Sequence, residues 1–373
     1  MLNFYNKNNC EKMENPLFQA YRNNMFDKFC CLIKNGENIN CINQNGVSLI
    51  SEVIINKEKF ENNKKYFDKL LKEKVFLGKQ KLGYDALNLS IKNKKDSYYI
   101  IKLIEYGASV NSFGARKRNN RPSLQYGPPI FELINLGDYE KIKLLLEYNP
   151  NLDISNHEGE PILNYLFKYI DAFVHEYEWE KFIEIFIKNN APIDERDNQG
   201  NEPIHYWAKK MFNENTAIKT LNLLLEKNAN INSRDKYGNT PLIIASIFGI
   251  TENVTSLIEN SANLDIQNSD GNTAAMVSTS KRNGPKILNI LEKNNANLSI
   301  TNTQKNNVTH LLAKKIISSS SDIKRFTGIR QQDKYPYIEF LKRRTDLSMQ
   351  KNIDGETAMD IIARDKDNIL KWQ

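Results

Sequence analysis

The segment DKYGNTPLIIASIFG, Asp235 to Gly249, returns in worn form along almost the whole chain, and this recurrence constrains the fold most. Gly200, Gly238 and Gly271 each precede a short apolar run. A second apolar run follows, and then a cluster of Ala or Ser with Asn and Asp. The step from Gly238 to Gly271 is about 33 residues, a period at which self-similarity means a solenoid of small supersecondary units. Each unit of such an array packs only on its neighbours, so the chain presents an extended surface, and binding is expected before catalysis.

Within the clearest copy each residue has a mechanical task. Asp235 and Gly238 suit a tight turn, Gly supplying a backbone angle that other residues resist. Thr240 is placed to cap a first helix, Pro241 to open it and Gly249 to end it. Leu242, Ala245 and Ser246 give that helix an apolar face with small residues for close approach. Val254, Leu257 and Ile258 mark a second helix at spacings of three and four, which Asn260 or Ser261 ends. Ala262 to Asp265 then leads into an outward, hairpin-like loop.

This pattern resembles the ankyrin repeat: Gly-x-Thr-Pro-Leu, a small-residue helix, a Leu-rich helix, then Gly-Ala-Asn or Gly-Ala-Asp. The likeness is close over Asp235–Asp265, good over Pro16–Asn40 and recognisable over Pro203–Asn232. Weaker copies start near Val47, Tyr84, Pro129, Pro161, Asn272, Asn307 and Glu356, for about ten units in all. The resemblance implies an all-α ankyrin-repeat solenoid of stacked helix–turn–helix units with outward hairpin-like loops. Residues 1–15 are expected to be an N-terminal extension and 16–373 the array, capped by polar residues such as Lys12, Glu14, Arg22 and Asn23 and by the tail RDKDNILKWQ. Where the family ends its second helix on Gly, this chain keeps Gly36 and Gly107 but has Asn149, Asn190, Asn228 and Asn295, and Asn tolerates left-handed angles next best. Trp207 stands where the pattern wants a small residue, so either the neighbouring unit opens a pocket there or the helix is rotated. Two units are overlong, with inserts near 112–126 and 318–333; these are either binding loops or tolerated surface loops.

The chain has 373 residues, 40% hydrophobic and 26% charged, with a formal charge of +7 that permits an acidic partner without demanding one. Cys10, Cys30, Cys31 and Cys41 crowd the first repeat without metal or disulfide spacing, and buried free thiols are expected. MLNFYNKNNCEKMENP has no uninterrupted apolar core for a signal peptide. The longest apolar stretch, Leu242–Ile250, is interrupted by Ser246 and too short to span a bilayer. A cytoplasmic, monomeric protein is expected. The alternative is secretion into a host cell without a classical signal, because worn, Asn- and Lys-rich ankyrin proteins are found in bacteria that live in or on host cells.

No enzymatic motif emerges. His175 and Glu176 begin H-E-x-x, but Trp179 replaces the second His of a zinc-protease motif, and no phosphate loop, dinucleotide fingerprint or nucleophile elbow is present. His205 lies at the family's Thr-Pro-Leu-His position, where a ring that ties down the next loop is expected. Catalytic, cofactor and metal sites are therefore expected to be none.

As the resemblance implies, the function is recognition of a partner protein through loop tips and the concave face of the first helices. Mapped onto this chain, those positions are Lys236, Tyr237, Asn239, Ile247 and Phe248, and in the preceding unit Asn198, Gln199, Asn201, Lys209 and Lys210. Ile247 and Phe248 either form an apolar interface core or pack beneath an adjacent helix. The alternative partner is nucleic acid or another acidic molecule. It would meet Arg116, Lys117, Arg118 and Arg121, flanked by Phe113 and Tyr126, or Lys324, Arg325 and Arg330 with Lys342, Arg343 and Arg344.

Overall fold

The computed structural model describes residues 15–56, 63–78, 85–112, 128–156, 158–173, 178–318 and 335–363. These form twenty helices and no strand, with two isolated antiparallel bridges, Ile42 to Ser48 and Ser155 to Pro161. The chain divides into two compact units, 1–162 and 163–373.

In the first unit four helix pairs follow one another: α1 (Pro16–Arg22) with α2 (Phe26–Lys34), α3 (Leu49–Ile55) with α4 (Asn63–Lys72), α5 (Ala86–Lys92) with α6 (Ser97–Glu105), and α7 (Pro129–Leu136) with α8 (Tyr139–Leu146). First helices stack on first helices, α3 on α5 and α5 on α7. The core is aromatic at its start. Tyr66 receives Tyr21, Phe26 and Phe29 edge-on with centroids 5.0–5.2 Å apart, a geometry that the ring quadrupoles favour.

The second unit continues with α9 (Ile162–Phe173) and α10 (Trp179–Lys188), α11 (Pro203–Ala208) and α12 (Glu214–Glu226), α13 (Pro241–Phe248) and α14 (Thr251–Glu259), α15 (Ala274–Ser278) and α16 (Gly284–Lys293). Then come α17 (Val308–Ser318), α18 (Tyr335–Arg343), the short α19 (Thr345–Ser348) and α20 (Ala358–Ala363). Each first helix from α11 to α17 packs on the next, and α17 packs on α20; second helices form a parallel row from α10 to α16. Nine pairs and the lone α20 agree with the expected ten units.

Local chemistry follows the expected plan. Thr240 Oγ1 caps α13 by accepting from Ile243 N at 3.3 Å, Pro241 opens the helix, and Gly249 closes it at φ +73°. Asn149, Asn190, Asn228 and Asn295 all hold positive φ, as does Ser261, so the left-handed stop persists under a changed residue.

Among the described residues, seven outward loops end in a tip closed by an Asx side chain. Asp235 Oδ1 accepts from Tyr237 N and Asn239 N, both at 2.8 Å. Asn43, Asn156, Asp197, Asn268, Asn302 and Asn352 repeat this. Successive tips of the second unit bond to each other: Lys236 N to Gln199 O at 3.0 Å, Ser269 N to Tyr237 O at 2.9 Å, Thr303 N to Asp270 O at 3.1 Å and Ile353 N to Gln304 O at 3.2 Å. The approach is close enough to require glycine. A Cβ on Gly271, at φ +77°, would stand 2.8 Å from Thr303 N. Nearer the helices, Asn232 Oδ1 accepts from Asn263 N at 2.9 Å and Asp265 Oδ1 from Asn297 N at 2.8 Å, so the Asn or Asp ending each repeat joins it to the next.

The thiols depart from expectation. Cys31 is exposed and Cys30 and Cys41 are half-buried, all three free, because the apolar face of α2 is carried by Phe29. Cys10, the polar cap residues Lys12 and Glu14, His175 and Glu176, and the tail from residue 364 lie outside the described residues.

Candidate interaction surface

The tip before α13 and the end of that helix carry two exposed aromatic residues among the anticipated contacts. At the tip Tyr237 is 56% exposed, with Lys236 Nζ 5.0 Å from its ring centroid. Asn198 and Gln199 are exposed on the neighbouring tip. Asn239 and Asn201 are half-buried and engaged in the scaffold: each amide turns back onto its own Asp, at 3.1 Å and 3.2 Å, and Asn239 Oδ1 accepts from Asn268 Nδ2 at 2.9 Å. These two asparagines therefore hold the tips in register.

At the other end of α13, Leu242, Ile243, Ala245 and Ser246 are buried, Ile247 is half-buried and Phe248 is 57% exposed. Phe248 thus stands clear of the neighbouring helix. In the preceding repeat Met211, three residues past the end of α11, is 78% exposed.

Lys210 departs from expectation. Trp207 is fully buried, its Nε1 donating to Ala217 O at 3.2 Å. Asn253, also fully buried, donates Nδ2 to the carbonyls of Trp207, Ala208 and Lys210 at 3.2, 3.2 and 2.9 Å. That amide caps α11 from the next repeat and stops it at Ala208. The turn then carries Lys210 inward, where it is only 9% exposed and its Nζ donates to Lys168 O at 3.4 Å. Lys209 is half-buried with Nζ 3.7 Å from the centroid of the Tyr206 ring. Burial lowers its pKa to about 8. Lys168 and Lys210 push the same way, against the attraction of Asp197 and Asp235.

His205 serves the scaffold. It is fully buried; its Nδ1 accepts from Glu202 N at 3.0 Å and its Nε2 lies 3.1 Å from Ser233 O, so the neutral ring ties one tip to the next loop. Burial lowers its pKa. Asn88 takes the equivalent position in the first unit, its Nδ2 reaching Ser112 O at 3.3 Å. Among the described residues no group of three or more His, Cys, Asp or Glu is placed to hold a metal, and no helix is long and apolar enough to cross a membrane.

Of the basic clusters, Arg116, Lys117, Arg118 and Arg121 lie outside the described residues, as do Phe113, Tyr126, Lys324, Arg325 and Arg330. Arg343 and Arg344 are placed, and both are ion-paired. Arg343 meets Glu292, and Arg344 meets Glu292 at 3.1 Å and Asp346 at 3.0 Å. A cavity in the first unit, lined by Leu71, Val75, Phe76, Leu77 and Tyr106, also includes Gly78, Asp85 and Ser112. These three adjoin segments outside the described residues, and no site is assigned there.

Residues 210–302 match the family profile of ankyrin repeats in three copies. The stretch covers the tips, α13 and its neighbours, so the chain carries ankyrin repeats, and the helix pairs outside it show the same tip chemistry. No curated protein matches the chain. Among solved structures it is similar to the ankyrin repeat domain of Bcl-3, described as a unique member of the IkappaB protein family. Sequence identity is 17% and the TM-score 0.49, with 65% of this chain and 97% of that one covered.

Proposed function

We propose that the chain is a non-enzymatic recognition module that binds a partner protein across the α13 region, through the tips and the first-helix face. Ankyrin repeats generally mediate protein–protein interaction. The observation that carries the reading here is the exposure of Tyr237 and Phe248. The eight residues of α13 span about 12 Å, and Tyr237 stands in the tip just before the helix and Phe248 at its last position, so one extended partner segment can touch both. Neither side chain is needed for stacking, because Leu242, Ala245, Leu257 and the tip ladder supply that. Exposed aromatics above a polar scaffold are the usual makings of an interface core.

The extent of the array (16–373), its inserts near 112–126 and 318–333, a cytoplasmic setting or delivery into a host cell, and a monomeric state belong to the same proposal. Nucleic-acid binding through Arg116, Lys117, Arg118 and Arg121 is the alternative. Its signature is an electrophoretic shift that weakens steeply with salt and flattens when those four residues are neutralised.

The test is capture of a partner on the immobilised chain, followed by titration of the purified partner. Tyr237→Ala with Phe248→Ala is expected to weaken binding at least about tenfold, a loss of about 1.4 kcal/mol, with an unchanged helical circular dichroism spectrum. Undiminished binding by the double variant would sink the α13 assignment. Loss of helical signal would show instead that Phe248 supports the fold.

A further inference from the structure

We infer that the C-terminal ends of the first helices in residues 203–318 dock an acidic polypeptide segment carrying an apolar side chain between its carboxylates. This rests on the interaction reading above and adds the chemistry of the partner. α11 is followed by Lys209, whose neighbour Lys210 turns inward, α15 is followed by Lys281 and Arg282, and the C-terminal half of α17 carries Lys314 and Lys315. The spans 203–213, 241–250, 274–284 and 308–318, which hold the first helices α11, α13, α15 and α17 and the turns after the first three, contain no Asp or Glu.

The cations are near enough to repel one another. Burial and the charge of Lys281 lower the pKa of Lys315. Arg282 and Lys314 are exposed, and with Lys281 they meet no carboxylate at ion-pair distance among the described residues. The carboxylates nearest Lys209 are those of Asp197 and Asp235, and both are occupied in the tips. Glu214 and Glu252 open the second helices behind this edge without an ion pair to it.

Helix ends favour cations, but that is an incomplete cause. The second helices α12 and α14 end on Glu226 and Glu259, where the same backbone field disfavours an anion. α10 and α16 of the same row end on Lys188 and Lys293, so the helix end is part of the cause; what sets the first-helix spans apart is that no acidic residue is interleaved with their cations.

Between the charged pairs, α13 contributes no charge. It offers the exposed Phe248, and Gly249 packs against Lys281, whose Cβ would lie 3.5 Å from a Cβ placed there. The edge thus runs basic, apolar, basic. A nucleic acid carries phosphates at regular intervals and would lay charge across Phe248, whereas a polypeptide can place an apolar residue there and carboxylates on either side.

The test uses the full chain and a fluorescein-labelled peptide, Asp-Glu-Asp-Glu-Ser-Leu-Phe-Ser-Glu-Asp-Glu-Asp, read by anisotropy at low salt. Its companions are the same peptide with Ser-Ser in place of Leu-Phe, and an oligo-dT of equal charge. The Leu-Phe peptide is expected to bind most tightly. Arg282→Glu with Lys314→Glu, both exposed and so expected to leave the fold intact by circular dichroism, is expected to weaken it about tenfold or more. Phe248→Ser is expected to reduce the Leu-Phe peptide to the level of the Ser-Ser peptide. Oligo-dT binding as tightly as the peptide, no peptide binding at low salt, or indifference to the double charge reversal would each overturn the inference. The captured partner separates the two readings. If it needs Tyr237 and Phe248 but ignores Arg282→Glu with Lys314→Glu, the interaction reading stands and the acidic class falls; if it ignores all four, both fall.

Discussion

On the second-helix row of residues 163–373, Lys219 meets Glu180 at 2.9 Å, Lys188 meets Glu184, and Arg344 lies between Glu292 and Asp346. On the first-helix row Lys281, Arg282 and Lys314 stand near other cations, with no carboxylate in ion-pair reach among the described residues. Both rows use the same residue types on the same repeating scaffold. Ion pairs between neighbouring repeats occur in the second-helix row, whereas the cations Lys281, Arg282 and Lys314 on the first-helix side have no ion-pair partner among the described residues. Natural sequences hold such locally unfavourable arrangements where function needs them, which is why the proposed recognition surface is drawn on the first-helix side.

Both rows hang from one tip ladder, so breaking the ladder is expected to produce the largest change and to disturb them together. Gly271→Ala combines strain at φ +77° with a Cβ 2.8 Å from Thr303 N. A loss of about 3 kcal/mol in urea denaturation is expected, from strain of this kind together with the backbone clash. Gly355→Ala is the control. Its φ is +75° but no atom lies within 4 Å of the added Cβ, so strain alone should cost about 1 kcal/mol. Equal losses at the two sites would show that close tip approach contributes nothing.

The scaffold on which this contrast sits was largely legible in the sequence, because its signals are local. Thr240, Pro241 and Gly249 act within one helix, and the Asn residues at left-handed stops act within one turn. Of the candidate contact residues, Lys236, Tyr237, Phe248, Asn198 and Gln199 are exposed as the repeat pattern led one to expect. Lys210 was not legible: its burial depends on Trp207 filling the core and on Asn253 stopping α11 from the following repeat. The basic edge escaped for a similar reason. Its charges are one or more repeats apart along the chain and come together only when first helices stack, so whole-chain charge averages them away.

A smaller effect separates the rows by sign. Arg344→Gln removes half of two ion pairs that are partly exposed and is expected to lower stability by about 0.5 kcal/mol. Lys281→Gln with Lys314→Gln removes cations that have no ion-pair partner among the described residues, and stability is expected to rise by roughly a few tenths of a kcal/mol. Thermal melts at low and high salt check both, and added salt should shrink both differences. If the first-helix substitutions destabilise the protein as the Arg344 one does, those cations are structural and the contrast between rows fails.

The smallest expected effect is a pH slope from Lys209. Its ordinary pKa of 10.5 falls to about 8 in the folded chain, first through burial. Between those values the unfolded chain binds the proton that the folded chain has released, so stability must rise with pH across that window. Other groups act in the opposite direction. Cys41, pushed by burial from 9.0 to about 12, keeps its proton in the folded state, and so lowers stability as pH climbs past about 9. Tyr21, Tyr66, Tyr98 and Tyr99, each raised from 10.0 to about 12 chiefly by burial, add to that fall above about 10. The informative quantity is therefore the difference between the parent chain and Lys209→Met, followed by urea denaturation from pH 7 to 10. Methionine keeps the apolar stem over the Tyr206 ring and removes the titrating group, so Lys209→Met should be the more stable at pH 7 and its advantage should shrink above pH 8. A constant difference across that range would mean that Lys209 is no more desolvated than an ordinary surface lysine, and that the cations at this end of the basic edge do not feel one another.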